Sequence, residues 1–395
     1  VSMLEFSIKI FCLLARIIYF FMKLLPTRNK ITFISRQSNE PTLDITLLEG
    51  ELKSNLPDYE FVTKCRILTE GVGATLGYLP SMISQMHHIA TSKLVILDSY
   101  CIPISILKHK HNLKVLQMWH AMGLMKKAGY AALGSVEGRD RELASLLHMH
   151  RGYTHILASS PECKEAMLEV FGYANADSSG NEKTLQEVII GALPRVDRLI
   201  DEAIRAETSA RIYETYPYLK GRKVVLYAPT SRKDNAELNA RIQQLADAIQ
   251  ALNGQDGNYI LLVKLHPLQD GSLAHKCESH VLFDQVFSTV DVGMIADACV
   301  SDYSSLIYEF MIMEKPTYFF AFDLDEYEQA RGLFIDYQKE IPGEIHKDTK
   351  GLAQALSHDE SLQKEQRAFL TKYVAYCKDS NAGKLAKDIM RIIND

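Results

Sequence analysis

Hydrophobic positions along this chain change their period after the first 26 residues. Over residues 1–26 apolar side chains dominate, and the cations Lys9, Arg16 and Lys23 recur seven apart. On a helix that spacing drifts by only about 20° per step, so the three line one face. The other face presents Ile8, Phe11, Leu14, Ile18, Phe21 and Leu25, while Leu13 and Phe20 interrupt the polar stripe. No uncharged run between Lys9 and Lys23 exceeds six residues, far short of the roughly 18 that a spanning helix wants. The interrupting charges and the lack of a small-residue cleavage site also argue against a signal peptide. The pattern predicts an amphipathic helix lying in a membrane surface, its cations toward anionic headgroups. The alternative is a helix packed on the protein itself.

Beyond Pro26, short apolar runs alternate with longer helical stretches. Runs at residues 31–35, 59–65, 94–98, 115–119, 155–158 and 188–190 are apolar on both sides, as strands buried within parallel sheets are. Segments 43–55 and 161–171 are long enough for crossover helices. A polar stretch, 175–184, reads as a loop, and a helical segment, 195–215, leads into a second series of strands at 224–228, 259–264, 281–284, 298–301 and 317–320. The pattern restarts, which predicts two α/β halves with a boundary near residues 200–221. The limits drawn are 1–29 for the membrane-associating helix, 30–200 and 201–375 for two Rossmann-like domains, and 376–395 for a C-terminal helix that can pack back on the first.

Composition narrows the function classes. The chain has 395 residues, 47% hydrophobic and 24% charged, with no low-complexity tract. A net charge of -5 argues against bulk nucleic-acid affinity. Seven cysteines without a paired spacing or a Cys/His cluster give no zinc signature and suit a reducing cytoplasm. His148 and His150, if helical, point about 200° apart and cannot share a metal. Asp323-Leu-Asp325 offers a superficial metal pair, read here as a loop. No metal and no cofactor is expected.

In doubly wound sheets, ligands bind beyond the carboxyl ends of the strands. Applying that rule gives a short list. One strand ends at Trp119-His120-Ala-Met-Gly123, followed by Lys126 and Lys127. Others end at Tyr227-Ala-Pro-Thr230-Ser231-Arg232, at Lys264-Leu-His266-Pro267 and at Ser301-Asp302-Tyr303-Ser304-Ser305. Ser304 and Ser305 sit where a helix should begin, and a helix N-terminus offers unpaired N–H groups and a positive dipole end. The plainer reading is that Asp302 or Ser304 caps that helix. Taken singly, each histidine, lysine or hydroxyl is more often structural. Their joint placement suits a pyrophosphate and a hydroxyl nucleophile.

These motifs, with Gly191-Ala-Leu-Pro194-Arg195-Val-Asp197 and Arg331-Gly332…Phe334…Asp336-Tyr337…Pro342-Gly343, resemble the CDP-glycerol/CDP-ribitol polyol-phosphotransferases of teichoic acid synthesis. The likeness runs from Ile31 to the low 370s, in order. It implies a GT-B-like α/β architecture, two Rossmann-like domains with an interdomain cleft, and peripheral attachment to the cytoplasmic face of the membrane. It implies His120 as catalytic base, His266 at the donor pyrophosphate, and Ser304 and Ser305 at the donor phosphates. Glu309 is implied at the ribose, where some members carry Asp. Lys126, Thr230, Ser231 and Arg232 are expected to complete the donor contacts. Ala121-Met122-Gly123 departs from the Trp-His-Gly-Thr-Pro form familiar in some glycerol-phosphate enzymes, which leaves glycerol and ribitol open with a slight lean to ribitol. Primase and polymerase also stay open, as does oligomeric state.

The expected reaction moves a polyol phosphate from a CDP-polyol to a lipid-linked saccharide or polyol-phosphate chain, releasing CMP. An imidazole, with a reference pKa of about 6.5, can take the acceptor's proton. Two rivals remain at this point. One is a nucleotide-sugar glycosyltransferase on the same fold, and the other is a membrane-bound scaffold that binds nucleotide without turnover.

Overall fold

Twelve short strands pair into two parallel sheets among the residues described by the structure, a computed structural model covering 3–68, 72–136, 138–174, 184–232, 235–254, 258–265, 280–358 and 363–395. The first sheet holds β1 (Lys30–Ser35), β2 (Glu60–Cys65), β3 (Leu94–Leu97), β4 (Lys114–Gln117), β5 (His155–Ala158) and β6 (Glu187–Ile190), in the order β2-β1-β3-β4-β5-β6. The second holds β7 (Lys223–Tyr227), β8 (Tyr259–Val263), β9 (Val281–Phe283), β10 (Ala298–Ser301), β11 (Thr317–Phe320) and β12 (Ile345–His346), in the order β12-β11-β10-β7-β8-β9. Every residue of β1, β3, β5, β8, β10 and β11 is buried. Strands β3 and β8 accordingly read as unbroken apolar runs, while β1 buries Lys30, Thr32 and Ser35 among its apolar positions.

Strand order carries the functional information. From β1 the chain pairs β2 on one side and β3 on the other. From β7 it pairs β8 on one side and β10 on the other. Each sheet therefore has a topological switch point, where the loops leaving two neighbouring strands part and open a crevice. In the first sheet those loops begin at Arg36 and Asp98; in the second, at Ala228 and Asp302.

The chain divides into two compact units. Unit 1 comprises residues up to Gly123, Lys127–Asp197 and Tyr373–Asp395; unit 2 comprises Leu124–Lys126 and Arg198–Lys372. In unit 2, Leu238, Ile242, Leu245 and Ile249 fall on one face of the helix Asn235–Asn253 and pack over Val225, Leu261 and Val300 of the sheet. Burial of each such side chain is worth roughly 1.5–3 kcal/mol. In unit 1, the helix Asn381–Asn394 buries Leu385, Ile389 and Ile392 and lies against the helix Leu43–Asn55. Its first turn is held by Asp197, which accepts from the N–H groups of Asn381 at 2.6 Å and Ala382 at 3.0 Å. A carboxylate there satisfies orphan N–H groups and complements the helix dipole.

Two local details differ from the sequence pattern. The segment 195–215 is not one helix but two, Val196–Ile200 and Glu202–Thr215, because Asp201 leaves the helical path and accepts from Ile204 N at 3.0 Å as an N-cap. The two-residue strand β12 is too short to register as a periodic run.

The N-terminal helix spans Met3–Met22 and packs on the protein along one side. Cys12, Ala15 and Tyr19 form a buried seam against unit 1, with the Tyr19 hydroxyl 2.8 Å from His109 Nδ1. Phe6, Leu13, Leu14, Phe20 and Phe21 stay 55–62% exposed on the other side. The cations are not arrayed away from the protein as expected. Arg16 donates to Ile106 O at 3.1 Å, Lys9 pairs with Glu5, and Lys23 lies 5.9 Å from the Tyr19 ring. The seam of small residues and tyrosine brings Arg16 to the docked side, leaves Lys9 exposed beside Glu5, and turns much of the apolar face outward. No helix among the described residues is long and apolar enough to cross a membrane.

Candidate active site

His120 leaves β4 through a strained turn. Trp119 adopts φ 63°, a left-handed conformation uncommon outside glycine, and its N–H donates to Gln117 Oε1 at 2.9 Å. The turn lays the Trp119 ring on the His120 imidazole, with centroids 4.2 Å apart. Behind Trp119 stand Phe171 and His150, the latter wholly enclosed among aromatic rings, where burial pushes its pKa down to about 3. His120 itself is half-buried. Its Nδ1 lies 3.0 Å from Asp98 O and 3.3 Å from the Gln37 amide. The carbonyl only accepts and the Gln37 amino group only donates; with the proton on Nδ1, satisfying the shorter contact to the carbonyl, Nε2 is the basic nitrogen. Burial pushes the Asp98 carboxyl up, against hydrogen bonds from Ser35, Ser99 and Thr42.

A second restraint comes from the Gly191–Asp197 motif. Arg195 donates from its backbone N and its Nε to the buried Asp44 carboxylate, both at 2.8 Å, and from Nη2 to His120 O at 3.2 Å. Asp44 belongs to the first turn of the helix Leu43–Asn55. One guanidinium thus ties that helix to the backbone of the histidine. Neither residue stood on the list of site candidates, because nothing in the sequence couples positions 44, 120 and 195.

The switch point of unit 2 is built around Asp302, which is fully buried. Its carboxylate accepts from Thr230 N at 3.0 Å, Thr230 Oγ1 at 2.7 Å and Arg232 Nη2 at 2.8 Å. Arg232 also forms a two-pronged pair with Asp323, at 2.6 and 3.0 Å, and donates to Thr230 O at 2.8 Å. Tyr303 and Tyr327 stack 4.0 Å apart, each 5.2 Å from the same guanidinium. Burial alone would lower the Arg232 pKa; Asp302 and Asp323 outweigh it and raise it. Tyr337, from the Asp336-Tyr337 motif, donates to Asp302 O at 3.0 Å. Thr230 and Arg232, expected on donor phosphates, are bonded here to the Asp302 and Asp323 carboxylates and brace the Asp302 turn. Asp323, read as part of a loop with a superficial metal pair, is the second half of that brace. Among the described residues no group of three His, Cys, Asp or Glu side chains could hold a metal ion.

Ser304 and Ser305 follow on this braced turn, both partly exposed. Ser304 Oγ accepts from Leu306 N at 3.3 Å, and Ser305 occupies the N-cap position of the helix Leu306–Ile312 without a side-chain cap bond. That helix has seven residues, so its dipole is small and the hydroxyls and turn N–H groups supply most of the local donor character. Glu309 is buried in it at 5% exposure. Ser231, beside Arg232, is partly exposed. Lys126 lies in the Leu124–Lys126 stretch that belongs to unit 2, where it pairs with Leu333 across an antiparallel bridge. Met125 O accepts from Phe334 N at 2.8 Å, and Leu124 N donates to Tyr308 OH at 3.2 Å. The Trp119–Lys126 motif thus begins in one unit and ends in the other.

His266 lies outside the described residues. Two positions before it, Lys264 donates to Asp284 Oδ2 at 2.8 Å, Asp284 O at 3.0 Å and Phe287 O at 2.6 Å. Those bonds use the three ammonium protons. Burial works to raise the Asp284 pKa, but hydrogen bonds from Lys264 and Tyr216 hold it below the usual carboxylate range.

Comparison with known proteins decides the family. The sequence profile of the CDP-glycerol:poly(glycerophosphate) glycerophosphotransferases matches residues 17–392. The chain belongs to this family. It is 28% identical over 378 residues to the teichoic acid poly(ribitol-phosphate) polymerase of Bacillus spizizenii, covering 94% of this chain and 57% of the polymerase. It is 25% identical over 369 residues to the teichoic acid ribitol-phosphate primase of the same organism, covering 92% and 91% of the two chains. The teichoic acid glycerol-phosphate primase of Bacillus subtilis is 27% identical over 376 residues, covering 90% and 93%. The chain thus spans little more than half of the polymerase and nearly all of each primase. Among solved structures, the wall teichoic acid polymerase TagF superposes with a TM-score of 0.68 at 18% identity, covering 100% of this chain and 98% of that one. The GT-B-type α/β class expected from the sequence is therefore the fold of this glycerophosphotransferase family member.

Proposed function

We propose that this protein transfers glycerol-phosphate or ribitol-phosphate from a CDP-polyol to a lipid-linked saccharide or a polyol-phosphate chain, releasing CMP. The observation that carries the reading is the Nδ1–H bond from His120 to Asp98 O, which fixes the tautomer a general base needs. His120 Nε2 takes the proton of the acceptor hydroxyl. The freed oxygen attacks the phosphorus bearing the polyol, the bond from that phosphorus to the bridging oxygen breaks, and CMP leaves with the electron pair. General-base help of this kind contributes roughly 10²–10⁴-fold.

In this reading unit 1 receives the acceptor and unit 2 the CDP-polyol. Ser304, Ser305, Ser231 and Lys126 contact the donor phosphates, with His266 at the pyrophosphate and Glu309 turned to the ribose. Thr230 and Arg232 act through Asp302, holding the turn that presents Ser304 and Ser305. A preorganised donor of this sort is worth about 3–4 kcal/mol in the transition state. TagF has itself been solved after soaking with CDPG, which is in keeping with a CDP-polyol donor here. The test is to incubate the protein with acceptor lipid and either CDP-glycerol or CDP-ribitol and to measure CMP. Release from one of them, with a new phosphodiester in the product, supports the reading; transfer from a UDP-sugar with no CMP from either donor overturns it.

The outward side of the Met3–Met22 helix belongs to the same proposal as a seat on the cytoplasmic surface of an anionic membrane. Its exposed phenylalanines and leucines supply the buried area that interfacial binding requires. Phe6→Ser, Leu13→Ser and Phe21→Ser together leave the Cys12–Tyr19 seam in place. The triple variant should lose sedimentation with phosphatidylglycerol vesicles while keeping its melting temperature; unchanged sedimentation contradicts the assignment.

A further inference from the structure

Arginines in this molecule are commonly matched with carboxylates: Arg195 with Asp44, Arg198 with Asp291, Arg232 with Asp302 and Asp323, Arg391 with Glu187. The crevice loops of unit 1 break the pattern. Arg36 leaves β1 and Arg66 leaves β2 side by side, since Ser35 pairs with Cys65 in the parallel register and Arg66 N donates to Ser35 O at 3.0 Å. Arg139 reaches the same place from the loop after β4. The guanidinium carbons of Arg36 and Arg139 lie 5.9 and 5.8 Å from the Tyr100 ring centroid. Arg36 Nη1 donates to Tyr100 O at 3.2 Å, and its buried Nε has no hydrogen-bond partner among the described residues. Among those residues none of the three arginines makes an ion pair with a carboxylate. Acids in the same loops serve other ends: Asp98 is buried under hydroxyl bonds with its pKa raised, and Asp140, next to Arg139 in the chain, caps the helix Arg141–Leu146 by accepting from Leu143 N at 2.8 Å.

Like charges gathered on one ring repel. Cation–π attraction to Tyr100 returns only about 0.5–2 kcal/mol per guanidinium, and desolvation, with the Arg36 charge added to it, lowers Arg139's hold on its proton. An oxyanion would relieve both the repulsion and the orphaned Nε, and guanidinium forks match phosphate oxygens two at a time. Position identifies which phosphate. Arg36 precedes Gln37, whose amide lies 3.3 Å from His120 Nδ1, and Arg36 N donates at 2.9 Å to Ser99 Oγ, next to the Asp98 carbonyl that orients the same ring.

We infer that Arg36 and Arg139, with Arg66 beside them, form a binding site for a phosphate group on the acceptor, the phosphodiester or pyrophosphate nearest the hydroxyl that His120 deprotonates. The inference rests on the transferase reading above and adds the means of selecting acceptors that already carry phosphate. It makes the donor's phosphates the business of unit 2 and the acceptor's the business of unit 1.

The experiment compares the full-length wild type with Arg36→Gln, Arg139→Gln and the double variant. Two synthetic acceptors are used, a lipid ending in glycerol phosphodiester and the same alkyl glycerol without phosphate, at varied CDP-glycerol and CDP-ribitol. Expected is a tenfold or larger rise in KM for the phosphodiester acceptor in the double variant. Its preference over the phosphate-free acceptor should collapse, with KM for the CDP-polyol unchanged. A third acceptor, ending in a pyrophosphate-linked saccharide, separates the two phosphate sources by which KM moves more. Among the described residues the Arg139 side chain makes no hydrogen bond, so Arg139→Gln perturbs the fold least and carries the conclusion if Arg36→Gln melts early. An effect confined to the CDP-polyol KM, or equal losses with charged and neutral acceptors, overturns the inference. Absence of CMP release by the wild type overturns the transferase reading instead.

Discussion

The two switch points occupy the same place in sheets of the same class, yet their charges are managed in opposite ways. In unit 2 the cation is enclosed: Arg232 is 11% exposed, bound to two carboxylates and flanked by Tyr303 and Tyr327. Lys264 is likewise consumed by Asp284 and two carbonyls. In unit 1, Arg36, Arg66 and Arg139 have no carboxylate partners among the described residues, and the central side chain is an imidazole held by a backbone carbonyl. A closed network fixes backbone and presents small donors such as Ser304 and Ser305. An open, cationic one leaves capacity for an anion and a proton. The contrast teaches that an arginine at a strand end is no guide to ligand contact until its carboxylates are known.

The largest effect expected from breaking this contrast is on the closed side. Asp302→Ala takes the acceptor from the Thr230 N–H and hydroxyl in a buried site and leaves Arg232 with Asp323 as its carboxylate, and each buried donor left unsatisfied costs about 1–3 kcal/mol. Urea unfolding should show that loss, with the Ser304 turn perturbed; a change under about 1 kcal/mol would mean the network is not the brace described.

A smaller effect is expected at Asp44. The Arg195 side chain is 24% exposed, so water recovers part of the lost interaction, and Asp44→Ala should destabilise by about 1–3 kcal/mol. Because Arg195 also holds His120 O, kcat should fall while KM for the CDP-polyol stays put. A rise in donor KM with unchanged kcat would place Arg195 elsewhere in the scheme.

Smallest and most diffuse is a pH effect. Burial holds His88, His109 and His155 to pKa values of about 4. These lie below the unfolded value of about 6.5, so the unfolded chain binds more protons between the two. Stability should therefore be full above about pH 6.5 and decline steadily as pH falls toward 4. His109→Gln should flatten part of that decline in melting temperatures measured across the window. An unaltered slope would show that His109 is not buried neutral beside Tyr19.

Much of the framework was legible in the sequence, since a strand buried on both faces is favoured as an apolar run, and β3 and β8 are such runs. Switch-point loops were legible for the same reason, as polar residues abruptly ending those runs. Partners were not. Asp302 and Arg232 stand 70 positions apart, and Asp44 and Arg195 151 apart, and only the sheet order brings them together. The break at Asp201 and the passage of Leu124–Lys126 into unit 2 are hidden similarly, because a contiguous motif gives no sign that its two ends belong to different bodies. The Arg36–Arg139 pair escaped notice because neither sits in a motif; the signal is their lack of acids, visible only in three dimensions.

The most direct test of the account separates binding from chemistry at His120. CDP-polyol affinity by calorimetry and CMP release with acceptor should be measured on one preparation of His120→Ala. The account predicts wild-type donor affinity with turnover reduced by roughly 10²–10⁴-fold. Lost donor affinity with undiminished turnover at saturating donor would contradict it.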